Sequence, residues 1–197
     1  MYYNSLKMKG KIIILSAPSG SGKSTIISHL MENDSLKLGF SISATSRKPR
    51  GEEQHGKEYF FLTPEEFYAR VKNEEFVEWE EVYPGLCYGT LESEIERITC
   101  SGKNLVMDID VKGALNIKKR YGNKALTLFI LPPNVDVLEE RLRTRGTDNE
   151  QTIKERLKKA QYEMSFASSF DNVIVNDNLE EAVKHTTEKI QEFLKQE

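Results

Sequence analysis

Cysteine, tryptophan and histidine are scarce in this chain, and each shortage excludes something. Of 197 residues only two are Cys, one is Trp and three are His. Cys87 and Cys100 lie apart, with no further Cys or His at ligand spacing. That argues against a disulfide framework or a zinc site and suits a reducing cytoplasm. His29, His55 and His185 do not cluster and read as ordinary surface or helix residues. No run approaches the ~18 apolar residues of a membrane helix. Residues 1–9 lack the apolar core and cleavage site of a secretory signal. Positive charge is not in excess either: 28 Lys and Arg against 31 Asp and Glu give a net charge of −3. A nucleic-acid binder usually shows a basic balance, so none is expected as a partner, and no membrane. A local basic pocket for small anions remains compatible with that total.

What is present alternates short apolar runs with longer amphipathic ones, the pattern of an α/β domain. Residues 12–15 form a continuous apolar run, as in a strand buried on both faces. A helix is predicted over 24–31, a second strand over 40–43, and a basic, turn-rich loop over 46–51. A short strand over 59–62 precedes Thr63-Pro64-Glu65-Glu66, a capping box with Pro at the first helical position. Leu62 and Phe67 are spaced for the hydrophobic staple across it, and the helix should reach about Lys72.

Residues 75–82 return to strand, and Gly85 and Gly89 break the chain after it. Helix is expected over 91–99 and 111–121, the latter with its apolar stripe at Val111, Leu115 and Ile117. Strands are expected over 105–109, 126–131 and 173–175. Asn134 should cap the helix carrying Leu138 and Leu142. Thr147 with Glu150 reads as a second capping box, opening a long helix to Met164. Asn178 with Glu181 should cap the terminal helix, whose apolar face uses Leu179, Val183, Ile190 and Leu194. The expected organisation is a single domain with a parallel sheet core flanked by helices (about 9–39, 91–140 and 160–197). Two insertions interrupt it, a strand-rich lobe over about 40–90 and an Arg-rich lid over about 141–159.

Chemistry enters at Ala17-Pro18-Ser19-Gly20-Ser21-Gly22-Lys23-Ser24, which follows a strand and opens a helix. This is the P-loop pattern in its proper context, with Ala at the first glycine position. Small residues let consecutive backbone N–H groups face phosphate oxygens, and the helix N-terminus adds partial positive charge. Lys23 can reach the β- and γ-phosphates, and Ser24 offers a hydroxyl to Mg²⁺. Ala17 fits only where φ stays negative. The motif alone says nucleoside triphosphate. No guanine-reading Asn-Lys-x-Asp occurs, and the length disfavours a motor.

Further segments narrow the reading: Ser43-Ala44-Thr45-Ser46-Arg47-Lys48-Pro49-Arg50, Gly56-Lys57-Glu58-Tyr59, Phe76-Val77-Glu78-Trp79, Tyr88-Gly89-Thr90, Asp108-Ile109-Asp110 and Arg145-Gly146-Thr147. With the P-loop they resemble the guanylate kinase family, from about Lys11 through Asp177. Ala17, and Thr90 in place of Ser, are the departures, both conservative in chemistry. The resemblance implies a P-loop NTPase-type fold and transfer of the γ-phosphate of Mg·ATP to GMP, with dGMP as a further acceptor.

It also implies roles. Arg47 and Arg50 would clamp the GMP phosphate, since a planar guanidinium can bind two oxygens at once. Tyr59 and Tyr88 would donate hydroxyls to that phosphate or pack against the nucleotide. Glu78 would accept from guanine N1–H and N2–H, assisted by Asp110, with Ser43 and Thr90 as smaller polar contacts. Arg145 and Arg156 would reach the transferring phosphoryl group. Asp108, at the end of an apolar strand, would serve the metal directly or through water, and Asn176 would lie beside the adenine.

Blander readings stand beside these. Glu78 lies among Glu74, Glu75, Glu80 and Glu81, so composition alone calls it surface charge. Asp110 either reads guanine, from the same side of a strand as Asp108, or merely caps the helix from Val111. Arg141, Arg143 and Arg145 could form a salt-bridged helix end. Two other functions compete: a binding scaffold that keeps the fold without catalysis, and a monophosphate kinase for AMP or dTMP. The intact Lys23-Ser24 pair opposes the first, and Glu78 with Ser43 and Asp110 opposes the second.

Overall fold

A computed structural model describes residues 8–144 and 149–196. Contacts divide the chain into two compact units. One comprises the described residues up to Lys11 together with Gly39–Leu105; the other comprises Ile12–Leu38 and the described residues from Val106 onward.

The larger sheet has the strand order β2-β7-β1-β8-β9 (β1 Ile12–Ser16, β2 Leu38–Phe40, β7 Asn104–Asp108, β8 Ala125–Leu131, β9 Asn172–Val175). β1 pairs parallel with β8, from Ile12 opposite Ala125 to Ser16 opposite Phe129, and β8 pairs parallel with β9. Every residue of β1 is buried, which is why it reads as an unbroken apolar run rather than an alternating one. Helices α1 (Lys23–Met31) and α7 (Leu179–Leu194) supply Ile26, Ile27, Leu30, Ala182, Ile190 and Phe193 to one core with Ile13, Leu15, Leu128 and Ile130 of the strands. On α7 the buried set is Ala182, Thr186, Ile190 and Phe193, while Leu179, Val183 and Leu194 are only partly buried. Asn178 caps that helix, accepting from the Glu181 N–H, and Asn134 caps α5 (Val135–Thr144), accepting from the Val137 N–H.

The other unit carries a four-stranded sheet, order β4-β3-β6-β5 (β3 Ala44–Thr45, β4 Phe60–Phe61, β5 Phe76–Tyr83, β6 Leu86–Leu91). Helix α2 (Pro64–Lys72) begins with the complete capping box of Thr63 and Glu66. It buries Phe67 with Ala44, Phe76, Cys87 and Leu91, and Leu62 packs against the same cluster, as the staple requires.

Several expectations are corrected. The strand placed over 40–43 falls between β2 and β3: residues 41–43 are irregular, with the Ile42 N–H given to the Glu94 side chain of α3 (Glu92–Cys100). Gly89 does not break the chain; it lies inside β6, opposite Ala44 and Trp79. Asp110 is not on a strand at all, because β7 ends at Asp108 and Asp110 caps α4 (Val111–Tyr121). On α4, Gly113, Ala114 and Ile117 join Val111 in the buried stripe, and Leu115 is only half-buried. For α6 (Glu150–Met164), Asn149 is the cap, accepting from the Thr152 N–H; the expected cap Thr147 lies outside the described residues.

Gly89 is where packing leaves least freedom. A Cβ there would stand 2.7 Å from both the Glu78 carbonyl oxygen and the Trp79 Cβ, and 2.8 Å from the Phe76 ring. Two of these three neighbours cannot rotate away. Gly89→Ala is therefore expected to lower unfolding stability by about 1–3 kcal/mol, the usual cost of overpacking. Urea denaturation of the two proteins measures it.

Candidate active site

In the unit built on the larger sheet, the loop from β1 to α1 has the expected shape. Gly20 and Gly22 take φ of 95° and 87°, while Ala17 keeps a negative φ, the condition under which Ala is accepted there. The Ser21 N–H closes a turn onto the Pro18 carbonyl at 3.1 Å. Ser19 and Ser24 are exposed, so both residues lie at the outer surface of the loop and the first turn of α1.

Behind the loop sits Asn176, 4% exposed. Its Nδ2 donates to the Ser21 carbonyl at 2.7 Å, and a Cβ on Gly22 would come within 2.3 Å of that same nitrogen. Asn176 thus braces the loop through the main chain of Ser21. Its main-chain carbonyl accepts from Arg141 Nη2 at 3.0 Å, and its main-chain N–H donates to the Leu131 carbonyl at 2.8 Å.

Lys23 forms an ion pair with Asp108 at the end of β7. The cation expected to reach phosphates is here held by the carboxylate expected near the metal. Arg156 Nη1 donates to Ser19 Oγ at 3.2 Å, bringing α6 to the loop. Arg143 follows the bland reading, paired with Glu139 at 2.7 Å and with Glu150; these partners hold its guanidinium pKa above the ordinary value, Glu150 contributing most. Arg145 lies outside the described residues. Asp110 accepts the N–H groups of Lys112 (2.7 Å) and Gly113 (3.1 Å), both on Oδ1, so the capping role is the one observed.

Magnesium fits this donor set. Ser24 and Asp108 offer hard oxygen ligands, and among the described residues no group of three His, Cys, Asp or Glu side chains forms an all-protein cage. Mg²⁺ is ordinarily held by one or two carboxylates plus substrate phosphates and waters, which is what two oxygen donors beside a phosphate cradle can serve.

In the unit built on the smaller sheet, register decides which side chains meet. Thr45 pairs with both Phe61 and Tyr88, and Glu78 with Thr90, whereas Ala44 pairs with Phe60 and Gly89. Because side chains alternate along strands, Phe61, Thr45, Tyr88, Thr90 and Glu78 share the face away from α2. Glu78 is only 9% exposed, so the surface-charge reading that composition suggested is wrong. Thr90 Oγ1 donates to its Oε1 at 2.7 Å.

On the same unit Arg47 stacks over the rings of Tyr59 (4.9 Å) and Phe61 (5.4 Å), and Tyr59 meets Tyr88 edge to face at 5.9 Å. Ser46, just before, is fixed by bonds to Gly85 and Cys87. Arg50 is exposed. Ser43 is half-buried, its carbonyl accepting from the Phe60 N–H at 2.9 Å. Sequence reasoning missed Glu53, which takes both terminal nitrogens of Arg47 at 2.5 and 2.7 Å and the Arg50 N–H at 2.8 Å. These donors, Arg47 first, hold its carboxyl at about 2. The available signal was the spacing of Arg47, Arg50 and Glu53, three residues apart each. Arg141 was seen only as a neighbour of Arg145; its hold on Asn176, 35 residues away, has no local signature.

Comparison with known proteins shows what the chain as a whole is similar to. A family model described as guanylate kinase matches residues 9–196. The chain is similar to a guanylate kinase of Bacteroides thetaiotaomicron, 57% identical over 191 residues, covering 97% of this chain and 93% of that protein. A guanylate kinase of Porphyromonas gingivalis is 54% identical over 184 residues, 93% of this chain and 98% of the relative. Among solved structures, the crystal structure of guanylate kinase from Anaplasma phagocytophilum aligns with a TM-score of 0.75 at 30% identity, covering 96% of this chain and 90% of that one. With a P-loop braced from behind, an arginine and tyrosine cluster, a buried glutamate, and this likeness along nearly its whole length, the chain belongs to the guanylate kinase family.

Proposed function

We propose a division of labour among these residues for the transfer of a phosphoryl group from ATP to GMP. The loop Ala17, Pro18, Ser19, Gly20, Ser21, Gly22, Lys23 and Ser24 binds the ATP phosphates, with Asn176 as its brace. Lys23 leaves Asp108 for the β- and γ-phosphates when ATP binds, and Ser24 and Asp108 hold Mg²⁺, directly or through water. Bound there, Mg²⁺ supplies charge neutralisation for the phosphates. Arg47 and Arg50, with Tyr59 and Tyr88, take the GMP phosphate. Glu78 reads guanine, with Ser43, Thr90 and Asp110 as smaller contacts; Asp110 does so only with what its cap leaves over. Residues 141–159 form the lid, whose Arg145 and Arg156 neutralise the moving phosphoryl group. dGMP is accepted as well, and the enzyme works in the cytoplasm.

The observation that carries the acceptor reading is the Glu78 carboxylate, buried and tethered on a polar face that also holds Thr90 and Tyr88. A buried carboxylate needs donors. Guanine presents two, N1–H and N2–H, whereas adenine presents a lone pair at N1. The acceptor phosphate is already an anion, so the chemistry needs no strong general base. Its obstacle is bringing two polyanions together, which positioning and fixed positive charge overcome.

Two substitutions test the assignment. Lys23→Met should leave the fold intact and lower kcat by about 10²–10³-fold, the usual cost of losing one preorganised charge; turnover near wild type in the folded variant would remove Lys23 from the mechanism. Glu78→Gln keeps shape and can still accept from Thr90, but swaps one acceptor for a donor. Expected is a fall in kcat/KM for GMP of about 10²-fold, a reduced preference for GMP over AMP, and an unchanged KM for ATP. Steady-state kinetics with both acceptors decides it: full discrimination in Glu78→Gln would move the guanine contact elsewhere.

A further inference from the structure

Arg47 has five N–H donors arranged as an end-on fork and a side-on edge. One N–H each of Nη1 and Nη2 goes to Glu53, and the second N–H of Nη1 goes to the Lys48 carbonyl at 3.0 Å. That accounts for the fork. The other two N–H groups, on Nη2 and Nε, lie side by side on one edge; Tyr88 also hydrogen-bonds the guanidinium, and Nε is buried with no hydrogen-bond partner. The guanidinium cannot turn freely: its side chain is 10% exposed and it lies over the Tyr59 and Phe61 rings. Two parallel N–H groups on a planar cation are the arrangement that binds two phosphate oxygens at once.

We infer that Glu53 is a positioning residue for the acceptor site: by filling the fork of Arg47 it aims the Nε–Nη2 edge at the phosphate of GMP. This rests on the reading that Arg47 binds that phosphate. Glu53 also accepts the Arg50 N–H at 2.8 Å, so one carboxylate sets both the side chain of the first arginine and the backbone of the second. Its carboxyl, held at about 2 by these same donors, stays charged throughout the neutral range. The opposite role is equally definite in sign: a carboxylate standing where the phosphate belongs would be displaced on binding, and its removal would tighten GMP.

Steady-state kinetics of Glu53→Gln at saturating ATP separates these. Positioning predicts a KM for GMP raised on the order of tenfold, as for a lost charge-assisted contact, with the KM for ATP unchanged. Competitive inhibition by guanosine, which lacks the phosphate, should be unaffected, an outcome that general damage to the lobe would not give. Glu53→Asp, which keeps the charge with a shorter reach, should fall between the two proteins, and it carries the same test if the Gln variant fails to fold. An unchanged or lowered KM for GMP, or equal weakening of guanosine, overturns the inference. Arg47→Ala supplies the control. If it raises the KM for GMP while Glu53→Gln does not, only the role of Glu53 is lost. If it too leaves the KM unchanged, the assignment of Arg47 to the phosphate is lost with it.

Discussion

The backbone from Ala17 to Ser24 is the constraint on which the larger unit depends. It takes left-handed φ at Gly20 and Gly22 and therefore needs residues without a Cβ penalty there; in the proposed function its N–H groups face phosphate oxygens. Such a loop has little side chain of its own to hold it. Its rigidity comes from neighbours: the fully buried strand β1 before it, α1 after it, Leu138 and Leu142 of α5 close to Gly20, and the amide of Asn176 against Ser21 and Gly22. The space a Cβ on Gly22 would need is already occupied by Asn176. The glycine is therefore fixed twice, by its dihedral angles and by its neighbour.

The two sites share an electrostatic design. In each, a cation that the proposed function assigns to a substrate anion is held by a carboxylate: Lys23 by Asp108, and Arg47 by Glu53. Such pairing limits the cost of holding a partly buried charge and fixes the position of the side chain. The two carboxylates differ once the substrate binds. In the proposed function Asp108 would also serve the metal, so its release of Lys23 would be useful. Glu53 also holds the Arg50 N–H, and its two-point grip on Arg47 leaves the Nε side of the guanidinium unfilled.

Local signals made much of this legible from the chain alone. The apolar run of β1, the P-loop glycines, the Thr63 box and the Asn134 and Asn178 caps all act within a few residues, and each is readable where it stands. What escaped depends on contacts distant in sequence or on register. The irregular 41–43 segment is held by Glu94, 52 residues on from Ile42. Gly89 reads as a breaker until β5 is laid beside it, and then becomes the one residue that fits. Glu78 looks like surface charge in an acidic stretch, because its burial comes from the pairing with Thr90 across the hairpin. Asp110 illustrates the reverse error: two residues from Asp108 suggests a shared strand face, but the strand ends first and the carboxylate caps a helix.

The central claim, that a buried carboxylate on the smaller sheet selects guanine for a phosphate donor bound at the P-loop, is tested most directly by acceptor choice. A coupled assay with Mg·ATP and GMP, AMP, dTMP or UMP in parallel measures it. The account predicts turnover with GMP, with kcat/KM above that for AMP by about 10⁴–10⁵-fold, the discrimination of sites built to hydrogen-bond a group the competitor lacks. Comparable rates with AMP or dTMP, or no turnover with any of the four by a folded protein, would contradict it.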